Sequence, residues 1–96
     1  MDMIRYRTKS GSAAANEKLI QAVFAELRET QPDGLRYAAF KLADQVTFVH
    51  LVESEQSPGP LLAVKAFGEF QSGAGERFEA APVRETFTEI GSYRFF

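Results

Sequence analysis

Ninety-six residues, 45% of them apolar, with 11 basic against 13 acidic side chains and no cysteine, describe a single domain over residues 1–96. The missing thiol excludes disulfides, a thiolate nucleophile and cysteine-ligated metals. A net charge of −2 offers no basic footprint for nucleic acid. The run Met1-Asp2-Met3-Ile4-Arg5 lacks a signal-peptide pattern and no segment approaches the length of a membrane span, so a cytoplasmic location and no membrane partner are expected.

Met3 to Lys9 alternate with the period of a half-buried strand, ended by Ser10-Gly11-Ser12. Ser12 is placed to cap a helix on which Leu19, Ile20, Val23, Phe24 and Leu27 share one side. Pro32-Asp33-Gly34 stops that helix. Two strands, Leu35 to Ala43 and Val46 to Ser54, then read as a hairpin joined at Asp44-Gln45, although the glycine favoured by tight turns is missing. Ser57-Pro58-Gly59-Pro60 opens a second helix with Leu62, Ala63, Ala66, Phe67 and Phe70 on its apolar side, broken at Gly73-Ala74-Gly75. One more helical turn near Phe78 and a last strand over Val83 to Phe96 complete the order β-α-β-β-α-β.

That order predicts an α+β, ferredoxin-like domain: a four-stranded antiparallel sheet, strand order 4-1-3-2, with both helices on one face. A two-residue loop at Asp44-Gln45 pairs Ala43 with Val46 and sets Arg36 opposite Glu53. It puts Ala38, Phe40, Leu42, Val49 and Leu51 on one side and Tyr37, Ala39, Lys41, Phe48, His50 and Val52 on the other. The first set is uniformly apolar and is assigned to the helices. The second, with Met3, then forms the bare face. Covering its large apolar side chains, at roughly 1.5–3 kcal/mol each, favours a homodimer in which two sheets face each other across a lined space.

The first strand with its Ser10-Gly11-Ser12 turn, the Pro32-Asp33-Gly34-Leu35-Arg36-Tyr37 segment and the run Phe48-Val49-His50-Leu51-Val52-Glu53-Ser54 resemble the dimeric α+β barrel superfamily, in particular its antibiotic-biosynthesis-monooxygenase-like group. The resemblance implies a barrel of two sheets with a binding or active site inside. It also implies activities ranging from cofactor-free oxygenation of aromatic polyketides or quinols to haem degradation. The chain departs from the group at Val52, where relatives often carry tryptophan, and at His50, where they often carry glutamate. It has no tryptophan, and its one histidine lies on a strand, which disfavours haem chemistry.

Among candidate catalytic residues, His50 alone changes charge near neutrality, and the proposed register puts it on one face with Tyr37 and Lys41. Such a set orients a phenol or enol and accepts its proton. Lys41, Phe48 and Val52 are the candidate ligand-binding residues. No metal site or cofactor is expected from one His, no Cys and scattered carboxylates. Two functions follow as expectations. One is a homodimeric, cofactor-free oxygenase acting on an aromatic or quinone-like molecule. The other is a non-catalytic dimer that binds a small apolar or aromatic ligand or serves assembly.

Overall fold

The computed structural model describes residues 1–57 and 59–96; the expected helix-opening role of Pro58 lies outside them. Strand β1 (Asp2–Arg7) leads through a single 3-10 turn (Ser10–Ser12) into α1 (Ala13–Thr30), followed by β2 (Leu35–Lys41) and β3 (Thr47–Ser54). A second 3-10 turn (Pro60–Ala63), α2 (Lys65–Ser72), the short α3 (Ala74–Arg77) and β4 (Val83–Thr86) complete the described elements. The sheet has the order β2-β3-β1-β4 with every pair antiparallel, which is the expected order read from its opposite edge.

Helix α1 ends because Gln31 turns left-handed, φ 46°, and its N–H reaches back 2.8 Å to the Leu27 carbonyl. Gly34, at φ 74°, then feeds the chain into β2. The hairpin keeps the expected register, Arg36 opposite Glu53 and Tyr37 opposite Val52, but its loop is longer, because both strands stop short of Asp44-Gln45. Asp44 does the work that glycine does in tighter turns. Its Oδ1 accepts the Val46 and Thr47 N–H groups at 2.9 and 2.8 Å, and Gln45 takes the left-handed conformation at φ 69°. The Thr47 hydroxyl, donating to Oδ2, and then these backbone bonds favour the ionised form and hold the Asp44 carboxyl down at about 2.

The two faces of the sheet are exchanged relative to expectation. Tyr37, Ala39, Phe48, His50 and Val52 belong to the core or pack against it, with Tyr6 and Ile4 of β1 beside them. Ala38, Phe40, Val49 and Leu51 lie on the other side, together with Met3. The physical reason is that polarity decided the face in the sequence reading, whereas the polar groups of the helix-facing side satisfy one another and are buried at little cost. Helices α1 and α2 close this side with Ile20, Val23, Ala66 and Phe70. Their mutual position is fixed by Glu26 of α1, whose Oε2 and Oε1 accept the Lys65 and Ala66 N–H groups at the start of α2, both at 2.9 Å.

The last strand is also shorter than expected. It pairs with β1 over Val83 to Thr86, and one further bond joins the Phe87 N–H to the Met1 carbonyl. The pairing ends there, and the β-prone sequence from Phe87 to Phe96 forms no strand. Ile90, Tyr93, Phe95 and Phe96 are left exposed, with the Phe96 ring 6.2 Å from that of Phe40 on the bare face. No described helix is long and apolar enough to cross a membrane.

Candidate active site

A cavity of about 970 Å³ lies between the sheet and the second helical segment. That volume is within the range of small-molecule sites. Tyr6, Tyr37, His50, Ile4 and Val52 line it from the sheet, and Leu61, Leu62, Phe67 and Phe70 from the helical side. Its position follows from the strand alternation. Residues 4, 6, 37, 50 and 52 all point to the helix-covered side, and the 3-10 turn delays α2 enough to leave space over the β2–β3 end.

At the floor of the cavity, His50 is only 4% exposed and is held from both sides. The Tyr37 hydroxyl lies 2.6 Å from Nδ1 and the Tyr6 hydroxyl 2.8 Å from Nε2. Asn16 of α1, fully buried, donates from Nδ2 to the Tyr6 oxygen at 2.8 Å and accepts at Oδ1 from Arg77 Nε at 3.0 Å. Arg77 donates its Nη2 to the Phe70 carbonyl at 2.5 Å, and its guanidinium lies 5.1 Å from the Phe70 ring centroid and 5.7 Å from that of Phe78. Five side chains from β1, α1, β2, β3 and α3 thus form one continuous polar string inside an apolar cluster. Stacking fixes it laterally, with Tyr6 at 3.9 Å from Phe78 and Tyr37 at 5.0 Å from Phe24.

Burial governs the protonation states. Desolvation lowers the His50 pKa to about 4, so the ring is neutral at pH 7. It pushes the Tyr6 hydroxyl up to about 12, against the opposing pull of the Asn16 bond and the Arg77 charge. Tyr37 is raised further, by burial and then by its neighbour Tyr6. Neither tyrosine ionises near neutrality. The site is a set of neutral hydrogen-bonding groups with one permanent cation, Arg77, at its far end.

The sequence candidates divide accordingly. His50 and Tyr37 meet directly, and Val52 shares the cavity wall. Phe48, 2% exposed, stacks behind Tyr6 at 5.6 Å and does not line the cavity. Lys41 turns away to Glu17 of α1, at 2.7 Å, and also stays outside the lining. Tyr6, Asn16 and Arg77 were not singled out from sequence. A signal for Asn16 was present, since it continues the apolar stripe of α1 at the spacing 16, 20, 23 and 27, where an amide must find a buried partner. Arg77 gave none, because Glu76-Arg77 reads as ordinary surface. Among the described residues, no cluster of three His, Asp or Glu side chains is arranged to hold a metal ion.

No protein-family model and no curated protein matches the chain. Solved structures do. Rv0793 from Mycobacterium tuberculosis superposes with a TM-score of 0.73 over 95% of this chain and 94% of its own, at 15% identity. A crystal structure of an antibiotic biosynthesis monooxygenase gives a TM-score of 0.71 at 10% identity, covering 94% of this chain and 97% of that one. A variant of SnoaB, a cofactor-independent oxygenase from Streptomyces nogalater, gives 0.66 at 13% identity, covering 97% and 94%. The chain has the fold of these structures, an antibiotic biosynthesis monooxygenase among them, over nearly its whole length, as the resemblance implied.

Proposed function

We propose that this protein is a cofactor-independent oxygenase acting on an aromatic or quinone-like small molecule bound in the cavity between sheet and helices. The observation that carries the reading is the Tyr37–His50 pair at the floor of an otherwise largely apolar space. Similarity to SnoaB in fold supports it. Fold alone does not choose a reaction, and the site supplies what such chemistry needs from a protein. The flat substrate is held by Phe67, Phe70 and Val52, and its polar oxygen is placed at Tyr37. His50 acts through Tyr37 as a positioning residue.

For an anthrone-like substrate the reaction balances without any other redox partner. The ring methylene loses a proton to give a resonance-stabilised carbanion, which transfers electrons to O2 and forms a carbon–oxygen bond. Loss of water then leaves a carbonyl. One oxygen atom ends in the product and the other in water with the two methylene hydrogens, so the four electrons given up by carbon match the four taken by O2. A dry cavity favours this sequence because stabilisation of the anion by a fixed donor is worth more there than in water.

The functional unit we propose is a homodimer. Met3, Ala38, Phe40, Val49 and Leu51 lie on the sheet face that the helices leave uncovered, and apolar strips of this kind mark contact surfaces. A second copy applied to that face buries them. Solution mass tests this directly, and a monomer at micromolar concentration refutes it.

The test of the reaction is oxygen uptake with anthrone in air, in the presence of a chelator. The expected result is anthraquinone and water formed with one O2 consumed per turnover, at a rate above the uncatalysed background and reduced tenfold or more in Tyr37→Phe. Uptake no faster than background refutes the assignment.

A further inference from the structure

The polar string has a direction, and that direction identifies the kind of oxygen the cavity accepts. Arg77 has only donors to give, so the Asn16 oxygen, and not its nitrogen, must face Nε of Arg77. The Asn16 amide is thereby oriented, and its Nδ2 donates to the Tyr6 oxygen. Beyond Asn16, two hydrogen bonds join Tyr6, His50 and Tyr37. A neutral imidazole brings one proton and each phenol another, which makes three protons for two bonds. One proton is always left over, and it belongs to one of the two tyrosines.

If Tyr6 kept the spare proton, its oxygen would accept from both Asn16 and His50. Its own O–H would then point at no acceptor among the described residues, in a side chain 5% exposed and stacked between Phe48 and Phe78. A buried donor left unmade costs about 1–3 kcal/mol. If Tyr37 keeps it, every bond in the string is made, and the spare O–H belongs to the less buried tyrosine of the two that line the cavity, whose oxygen has one partner in the string where that of Tyr6 already has two.

We infer that the string runs one way, from Arg77 through Asn16, Tyr6 and His50 to Tyr37, and offers the Tyr37 hydroxyl proton to the ligand. The ligand oxygen bound there is therefore an acceptor, a ketone or quinone carbonyl or the enolate formed from it, and not a phenol donating its own proton. Asn16, Tyr6 and His50 are positioning residues that fix the polarity. This deepens the proposed oxygenase reading and rests on it for the identity of the substrate. The polarity itself is a property of the unliganded protein.

The first readout is the tautomer of His50, taken by nitrogen NMR on the unliganded protein at pH 7. The string requires the proton on Nδ1, and a proton on Nε2 overturns the inference whether or not the protein oxidises anthrone. The Asn16→Asp variant reverses the string. A carboxylate facing Arg77 only accepts, so Tyr6 must donate to it, the His50 proton moves to Nε2, and Tyr37 turns its proton inward to Nδ1. The second readout is the affinity for 1,4-naphthoquinone relative to naphthalene, a pair differing in the carbonyls; the chain lacks the cysteine that would add covalently to the quinone. The preference for the quinone is expected to fall by about five- to tenfold in both Tyr37→Phe and Asn16→Asp. An unchanged preference in Tyr37→Phe refutes the donor role, and that variant tests it without Asn16→Asp should the latter fail to fold, since it leaves Arg77, Asn16, Tyr6 and His50 in place.

Discussion

Acidification is expected to destabilise this protein through His50 well before most carboxylates respond. The ring is neutral in the folded state down to about pH 4, because burial lowers its pKa to about that value from an ordinary 6.5. The unfolded chain therefore binds a proton that the folded chain refuses throughout the window between those values. Stability is complete above pH 6.5, falls as the pH drops through the window, and stops falling from this cause below about pH 4. One pKa unit corresponds to about 1.36 kcal/mol. Moving from pH 7.5 to pH 5 should thus remove about 2 kcal/mol, equivalent to a fall of roughly 10 °C in melting temperature for a domain of this size. The assay is urea unfolding across that range on the wild type and on His50→Gln, which removes the titrating ring and leaves every other acid and base in place. The wild-type curve should lose about 2 kcal/mol more than the variant's. Parallel curves would mean that His50 takes up its proton in the folded state, and with it would fall the neutral ring on which the site's polarity depends.

Three further outcomes follow from the packing. Phe48→Ala, at a position 2% exposed and stacked on Tyr6, should cost about 3–5 kcal/mol in urea unfolding; a loss below 1 kcal/mol would mean that the sheet face is not the core face. Glu26→Ala removes the acceptor for two N–H groups at the start of α2 and should cost about 1–2 kcal/mol, whereas Glu26→Gln, which keeps one acceptor oxygen, should cost less. Lys41→Ala breaks a partly exposed pair with Glu17 outside the cavity and should change stability by less than about 1 kcal/mol; an effect on anthrone turnover would contradict the placement of this lysine.

The topology and the β2–β3 register were legible because they depend on local signals: alternation in the strands, a proline and glycine break after α1, and charge pairing of Arg36 with Glu53. The face was not legible from those signals. Strand alternation sorts residues into two sets but does not say which set meets the helices, and the usual rule that the more apolar set goes inward fails here. His50 has a tyrosine hydroxyl at each ring nitrogen, Tyr37 at Nδ1 and Tyr6 at Nε2, so the ring is buried with both nitrogens partnered. The same limit hid Arg77, whose partners Asn16 and Phe70 are 61 and 7 residues away and meet it only once α1, α2 and α3 have packed. The last strand failed for a different reason. Val83 to Phe96 has the composition of a strand throughout, but strand formation needs an edge to pair with, and β1 pairs only with Val83 to Thr86.

A small domain gains little by placing a cation and four polar side chains within its apolar cluster. Replacing such a string by hydrocarbon of the same shape is commonly neutral or stabilising, so stability alone does not account for five mutually satisfied groups drawn from five elements. Their arrangement has one further property that packing does not require. With the inferred polarity, the string starts at the Arg77 charge and ends at the Tyr37 hydroxyl, whose proton has no partner among the described residues. A hydrogen-bond chain of single polarity strengthens each successive donor, and here the last donor lies beside a cavity with room for a fused aromatic ring system. In the proposed reaction, anionic intermediates formed from a bound carbonyl would be stabilised at that hydroxyl without any ionisable group having to titrate. On this account His50 is kept neutral so that it transmits polarity from Arg77 to Tyr37.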